Sequence, residues 1–429
     1  MPNYPDENSW WNGFTQEVNA LYIEADKPPD DGRFKWFSRT GYDIGAGLEA
    51  EASKAKHMAE LRSALGLPPP PAPVPSPVLR LKAEGRRLVD ESGKPFRYRG
   101  LTSFRLLEQV TKGQLIAVDD TLRRAKASGA NVVRVFAMCW NLFKLWPLVG
   151  RAYLLTLLDM AAKQGMYVEL VCLVDTRSFP GMDFRAQLDR CDVDHPALLL
   201  EGANEIEPVH PTQDPSIVAL CKAWRPQNGA LYSEGSTHDT SDESTALSNG
   251  DYCTVHFDRA NGDVIDEDDP NGWRFVRHQK EGWNLSQLVG RYVVSDEPRR
   301  DDLTPAKHFA MGALARICGM GDLFHYRDGL QSSPPQDDEL RAYEARCAGW
   351  STIPDNFEGT FKNSMWADGP VKSFDTTKTV RIYHSLGASE GYSLIIGKSG
   401  DPRIEWQNSW RPSAVLYDSP NVQLLRISQ

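Results

Sequence analysis

The chain has 429 residues, 41% hydrophobic and 25% charged, with 48 basic against 58 acidic side chains and a formal net charge of −10. That balance excludes a disordered chain, a collagen-like fibre and a coiled coil. The missing basic footprint argues against nucleic acid, and against an anionic membrane surface, as a partner.

No apolar run reaches the ~20 residues that span a bilayer, and the opening MPNYPDENSWW has neither the basic nor the apolar region of a secretory signal. Residues 1–66 read as a small N-terminal helical module. It is aromatic at first (Trp10, Trp11, Phe14) and then rich in Ala, Glu, Leu and Lys through GLEAEASKAKHMAELRSALGL. So short a segment makes a marginal core alone, so it is expected to dock, either on the next domain or on a partner. Residues 67–78, LPPPPAPVPSPV, form a Pro-rich linker, because proline at this density cannot donate backbone hydrogen bonds and favours an extended spacer. The same run could instead be a motif for a proline-binding partner.

From residue 79 the rhythm changes. VLRLKAEGRRLVDESGKPFRYRG alternates apolar and polar residues around two turn signals, Glu84-Gly85 and Ser92-Gly93, which predicts a hairpin leading into a further strand. Short apolar runs then alternate with helical patterns. The predicted strands are 96–104, 131–139, 166–175, 197–205, 230–235, 252–257, 291–297 and 321–326, with helices such as DDTLRRAKASGA, RAYLLTLLDMAAKQGM, PSIVALCKAW and TPAKHFAMGALARICGM between them. Eight such repeats predict an α/β fold, a (β/α)8 TIM barrel over residues 79–350. A doubly wound open sheet is the structural alternative, but no GxGxxG or GxxxxGK[ST] follows any strand. From 366 to 429 short strands such as TVRIYHSL and YSLIIG predict a C-terminal all-β module, either closing the barrel or binding carbohydrate.

Seven cysteines are scattered with no CxxC pair, several inside apolar runs. They read as reduced, buried hydrophobes, which implies folding in a reducing compartment. No metal and no cofactor are expected. There is no HExxH and no zinc spacing among the nine histidines, and the acidic loop at 263–272 offers His278 where a calcium loop needs a bidentate Glu.

Barrel chemistry sits at the C-terminal ends of the strands. The predicted ends carry Asp175 and Arg177 (strand three), Asn204 and Glu205 (four), Glu234 (five), His256 and Asp258 (six), Glu297 (seven) and His325 and Tyr326 (eight), with Arg134 within strand two. Glu205 and Glu297 stand on strands that face each other across the barrel. A carboxylate pair is the basic equipment of glycoside hydrolysis: one protonates the leaving oxygen, and the other attacks the anomeric carbon or activates water. Glu207 is an alternative acid. Asp296 alternates to the opposite strand face from Glu297. Glu234 and Asp258 read as substrate or hydrogen-bond residues, and Arg299 and Arg300 as a solvated pair or contacts to an acidic sugar. Trp140, Trp146, Trp273 and Trp283 could line sugar subsites or pack in the core.

The ordered set of Asn204-Glu205, Glu297, Arg134 in VRVF and His256, behind the hairpin RLVDESGKPFRYRGLTSF, resembles the clan A glycoside hydrolases, and among them the cellulase- and mannanase-like family 5, over about residues 78–350. The resemblance implies a retaining double displacement with Glu205 as acid/base and Glu297 as nucleophile. It also implies that Asn204 binds the sugar 2-hydroxyl and that Arg134 and His256 orient the carboxylates. Three places depart from the family pattern: Ile206-Glu207 precede Pro208, Phe257 stands where a Tyr is common, and Phe324, His325 and Tyr326 stand where a Trp ends strand eight. A carbohydrate is therefore the expected substrate, with Arg134, Asn204, His256, Tyr326, Glu234 and Asp258 as candidate binding residues. The rival readings are a glycan-binding barrel without catalysis and an enzyme attached to a virion or surface. The sequence leaves localisation open, with release by lysis or assembly into a particle as routes to an external glycan.

Overall fold

The computed structural model describes residues 61, 63–67, 78–143, 145–148, 151–206, 212–236, 250–256, 273–295, 304–325, 337–363, 369–379, 381–400 and 402–429. The chain forms two compact units, Met1–Pro75 with Val149–Ala152, and Ser76–Leu148 with Tyr153–Gln429. In the first, the end of the expected helix is described: Leu65 N–H donates to the Leu61 carbonyl at 2.9 Å, and Gly66 follows at φ 76.

The second unit opens with a hairpin of β1 (Leu81–Glu84) and β2 (Arg87–Asp90), extended by β3 (Pro95–Phe96). The single strand expected over 96–104 is therefore two. Phe96 pairs back onto the hairpin, while β4 (Arg99–Thr102) enters the barrel as its first strand. The other seven barrel strands are β5 (Val132–Phe136), β6 (Tyr167–Leu173), β7 (Leu198–Ala203), β8 (Leu231–Ser233), β9 (Tyr252–Val255), β10 (Tyr292–Ser295) and β11 (Gly321–Phe324). Each is shorter than its sequence pattern. β6 stops at Leu173, two residues before Asp175, and β7 stops before Glu205, because both residues take left-handed backbone angles, φ 56 and φ 52.

The eight strands are parallel and run in sequence order, with β4 between β5 and β11, so the sheet curls round on itself and is not a doubly wound one. β8 and β9 lie at the two ends of that order, and the seam between them is joined largely through side chains. Asp251 donates its N–H to the Tyr232 carbonyl at 2.7 Å and accepts from Tyr232 N–H on its carboxylate at 2.9 Å. Ser233 Oγ and Thr254 Oγ1 meet at 2.9 Å. Every residue of β5, β6 and β7 is buried, as expected of strands covered on both faces.

The helices are α1 (Leu106–Thr111), α2 (Leu115–Ala127), α3 (Trp140–Phe143), α4 (Ala152–Lys163), α5 (Phe184–Cys191), α6 (Ser216–Ala223), α7 (Trp273–Val289), α8 (Pro305–Cys318) and α9 (Asp337–Thr352). Their inner faces follow helical spacing: α4 buries Leu154, Leu157, Leu158, Ala161 and Ala162. α8 starts on a Thr304 cap that accepts from Lys307 N–H, has Pro305 in its first turn and ends at Gly319 with φ 71. None of the described helices is long and apolar enough to cross a membrane. None of the seven cysteines is in a disulfide, and all are buried.

After α9 the chain builds a five-stranded antiparallel sheet from β12 (Thr360–Asn363), β14 (Arg381–Leu386), β15 (Glu390–Ile396), β17 (Arg411–Asp418) and β18 (Val422–Ser428). A separate pair consists of β13 (Val371–Phe374) and β16 (Ile404–Trp406). The sheet rests on α8, where the Phe309 ring stacks on Tyr417 at 3.7 Å.

Two buried histidines make this unit sensitive to acid. Burial pushes the pKa of His384, on β14, and that of His308, on α8, down to about 3. Both stay neutral in the fold, whereas an unfolded chain takes up their protons below about pH 6.5. Stability is therefore complete above that pH and falls as the pH drops through the window from about 6.5 to about 3, by about 2 kcal/mol per histidine at pH 5. Denaturant midpoints at pH 7 and pH 5 should show this loss, and His384→Gln should lose less between the two. An equal loss in both proteins would refute the assignment.

Candidate active site at the barrel mouth

The site is built on a buried polar layer that the strands carry inside their apolar bodies. Arg134 (β5) is held in bidentate fashion by Glu201 (β7), Nε to Oε2 at 2.8 Å and Nη2 to Oε1 at 2.9 Å, with all of these atoms out of solvent. Its Nη2 also donates to Asn204 Oδ1 at 2.7 Å. One layer deeper, Glu169 (β6) lies 4.0 Å from Arg134 Nε and accepts from the Tyr98 hydroxyl at 2.6 Å and the Tyr252 hydroxyl at 2.7 Å. Burial, and then the adjacent Glu169 carboxylate, push the Tyr252 phenol well above its ordinary pKa, so it remains a donor. A charge buried in a strand must be paired, and here each carboxylate has donors: Glu201 also accepts Ser236 N–H at 3.1 Å.

On this floor stand Asn204 and Glu205, the first two residues after β7. Because Arg134 occupies the Asn204 side-chain oxygen, the amide is oriented with its NH2 group left as a donor. The Asn204 carbonyl accepts from Gln213 Nε2, and Gln213 Oε1 in turn accepts from Thr176 Oγ1 at 2.7 Å and Thr176 N–H at 3.2 Å. Glu205 N–H donates to Ser236 Oγ at 3.3 Å, and Ile206 N–H to the Ser236 carbonyl at 3.0 Å. A proline at 206 could not make that second bond, for want of an N–H. Gly235 allows the close approach: at φ 144, a Cβ there would lie 2.3 Å from the Ala203 carbonyl oxygen. The Glu205 side chain keeps 17% of its surface in solvent, and His256, buried at the end of β9, brings Nδ1 within 3.6 Å of its Oε1.

Above Arg134 lies an apolar collar. Phe104 and Phe136, from the tips of strands one and two, stack at 3.9 Å, and the Arg134 guanidinium lies 5.6 Å from each ring centre. His325, past β11, approaches Phe104 with ring centres 5.6 Å apart.

Of the residues singled out from sequence, the structure therefore brings together Arg134, Asn204, Glu205 and His256. Arg134 binds Glu201 and Asn204, which sets it as a brace under the amide. Glu234 sits elsewhere: buried, it lies 3.6 Å from Arg225, beyond α6, which turns its charge toward the helical layer. Glu207, Asp258, Asp296, Glu297, Arg299, Arg300, Tyr326 and the acidic loop 263–272 lie outside the described residues. Among the described residues no group of three or more His, Cys, Asp or Glu is placed to hold a metal ion. Glu169, Glu201, Gln213 and Ser236 are the site residues that sequence reasoning missed. A lone charge at an inward position of an apolar strand, as in YVELVCL and LLLEGA, was the available signal for the two glutamates.

No protein-family model matches the sequence, and no curated protein matches it. Solved structures do share its fold. One described as a glycoside hydrolase superposes with a TM-score of 0.50 at 14% identity, over 82% of this chain and 97% of that one. A glycoside hydrolase family 5 structure from Bacteroides vulgatus superposes with a TM-score of 0.53 at 16% identity, over 82% of this chain and 93% of the other. The likeness, at these identities, is one of fold: a TIM barrel of the family 5 kind with additional β-structure.

Proposed function

We propose that this chain is a glycoside hydrolase that cleaves an oligosaccharide or polysaccharide with retention, Glu205 serving as acid/base and Glu297 as nucleophile. The observation that carries the reading is the group at the tip of strand four. A partly exposed carboxylate stands beside an amide fixed as a donor, over a neutralised arginine and within reach of a histidine. Glu297 follows Ser295, the last residue of strand seven, by two positions. A likeness in fold to family 5 structures supports the same reaction class.

In the first step the Glu205 carboxyl gives its proton to the glycosidic oxygen. Glu297 attacks the anomeric carbon as the carbon–oxygen bond breaks, leaving a glycosyl ester and a free hydroxyl on the departing sugar. In the second step the Glu205 carboxylate takes a proton from water, and the hydroxide so formed attacks the anomeric carbon. The Glu297 carboxylate is expelled and the configuration is restored. The Asn204 NH2 group donates to a hydroxyl of the bound ring, and His256 holds the Glu205 carboxyl in place. Asp258 and Tyr326, which follow strands six and eight in the sequence, are the further substrate contacts we propose.

A screen of aryl glycosides and polysaccharides identifies the sugar. The roles are then separated with azide, a nucleophile that needs no base. Glu205→Ala is expected to stall as the glycosyl ester on an activated aryl glycoside, to be accelerated by azide, and to yield a glycosyl azide of retained configuration. An inverted azide from Glu205→Ala would mean that the two roles are exchanged.

A further inference from the structure

Trp146 is the one exposed aromatic side chain among the described residues, with 52% of its surface in solvent. Tryptophan carries one of the largest apolar surfaces of any side chain, so a half-exposed indole held rigidly in place calls for an occupant. This one is held rigidly. It directly follows Leu145, which pairs with Cys139 in a two-way backbone bridge, at 2.9 and 2.8 Å. Both bridge residues are buried in the collar cluster with Phe104, Phe136 and Phe143. The indole itself leans on Trp140, with ring centres 4.5 Å apart, and meets Phe179 edge-on at 6.0 Å.

The position matters as much as the exposure. Trp146 follows strand two and Phe179 follows strand three, so both stand on the face where strand four presents Glu205. The rim is continuous between them. The segment leading to Phe179 is tied to the strand-four loop by Arg177 N–H to the Thr212 carbonyl at 3.1 Å, and by the Thr176–Gln213–Asn204 chain. Strands two and four, from whose ends the two loops rise, stand two strand spacings apart, on the order of 10 Å. That is too far for one sugar ring to touch both and near enough for a short chain. The C–H face of a pyranose is apolar and flat, with its hydroxyls at the rim, and matches an indole backed by other rings.

We propose that Trp146, backed by Trp140 and Phe179, is a stacking platform for a sugar ring of the glycan chain that is remote from the ring at Glu205. The proposal rests on the reading of the barrel mouth as a glycan site. It makes the substrate a chain of several units and sets the enzyme to act along that chain.

The test uses the full chain carrying Glu205→Gln, run by affinity electrophoresis through gels containing carboxymethyl cellulose, glucomannan, xylan or laminarin. At least one polysaccharide is expected to retard it. Adding Trp146→Ala should weaken that retardation about ten-fold, and Trp146→Phe, which keeps an aromatic face, should restore most of it. In the otherwise unaltered enzyme, Trp146→Ala should raise KM on the polysaccharide far more than on an aryl glycoside. Equal retardation with and without Trp146, or no retardation by any of the four, overturns the platform. Retardation that depends on Trp146 in a protein that hydrolyses none of them would keep the platform and remove the catalytic reading.

Discussion

Glu297→Gln is expected to lower kcat by at least ~10³-fold while the protein stays folded. Glutamine keeps the size and much of the hydrogen bonding of glutamate but has no charge to offer a developing oxocarbenium ion and cannot form the glycosyl ester. Both steps fail, because the second has no intermediate to act on. Substrate binding is largely spared, so the loss should fall on kcat and leave KM nearly unchanged. Asp296→Asn is the comparison: the sequence pattern expects it on the opposite face from Glu297, and it should retain most activity. A loss that follows Asp296 and spares Glu297 would shift the nucleophile by one position, and full activity in Glu297→Gln would end the assignment.

The second large effect is on stability. Arg134→Met should destabilise the protein by about 3–5 kcal/mol, measured by chemical denaturation, because it strands Glu201 without its buried counter-charge and leaves Glu169 with its phenol donors alone. Replacing both members of the pair, Arg134→Met with Glu201→Gln, should recover part of the loss, since no unpaired charge then remains between them. A loss below about 1 kcal/mol for Arg134→Met would show that the pair contributes little to the fold. Activity should fall in both variants, because the Asn204 amide loses the partner that fixes its orientation.

The barrel was legible in the sequence because its strands are mostly apolar, with single inward charges, and further polar residues collect at one end of each. Asn204 and Glu205 follow strand four directly, and His256 follows strand six. The partner of Arg134 was not legible. Glu201 is 67 positions away, and nothing in either strand says which inward charge meets which. The seam between strands five and six was hidden for a similar reason, since Asp251 reads as a turn residue while its carboxylate and backbone do the work of a strand neighbour. Strand ends were overrun where side chains suited a strand but the backbone turned left-handed, at Asp175 and Glu205. The C-terminal sheet gains an edge strand at Thr360–Asn363, whose half-polar TFKN carries no strand pattern and is recruited by pairing with β14.

α8 has consequences for the energetics of the whole second unit. From His308 to Cys318 every residue is buried, because the helix has the barrel and α9 on one side and the C-terminal sheet on the other. Neither layer can be removed without wetting an apolar face of the same helix. The sheet therefore acts as a second wall of the barrel's own core, and a chain cut after α9 would have Phe309 open to water where Tyr417 now stacks on it. Barrel and sheet are thermodynamically coupled through that helix. They should melt in a single calorimetric transition, with calorimetric and van't Hoff enthalpies in agreement, so that a substitution in the sheet is felt at the barrel mouth as a change in the stability of the scaffold that holds it.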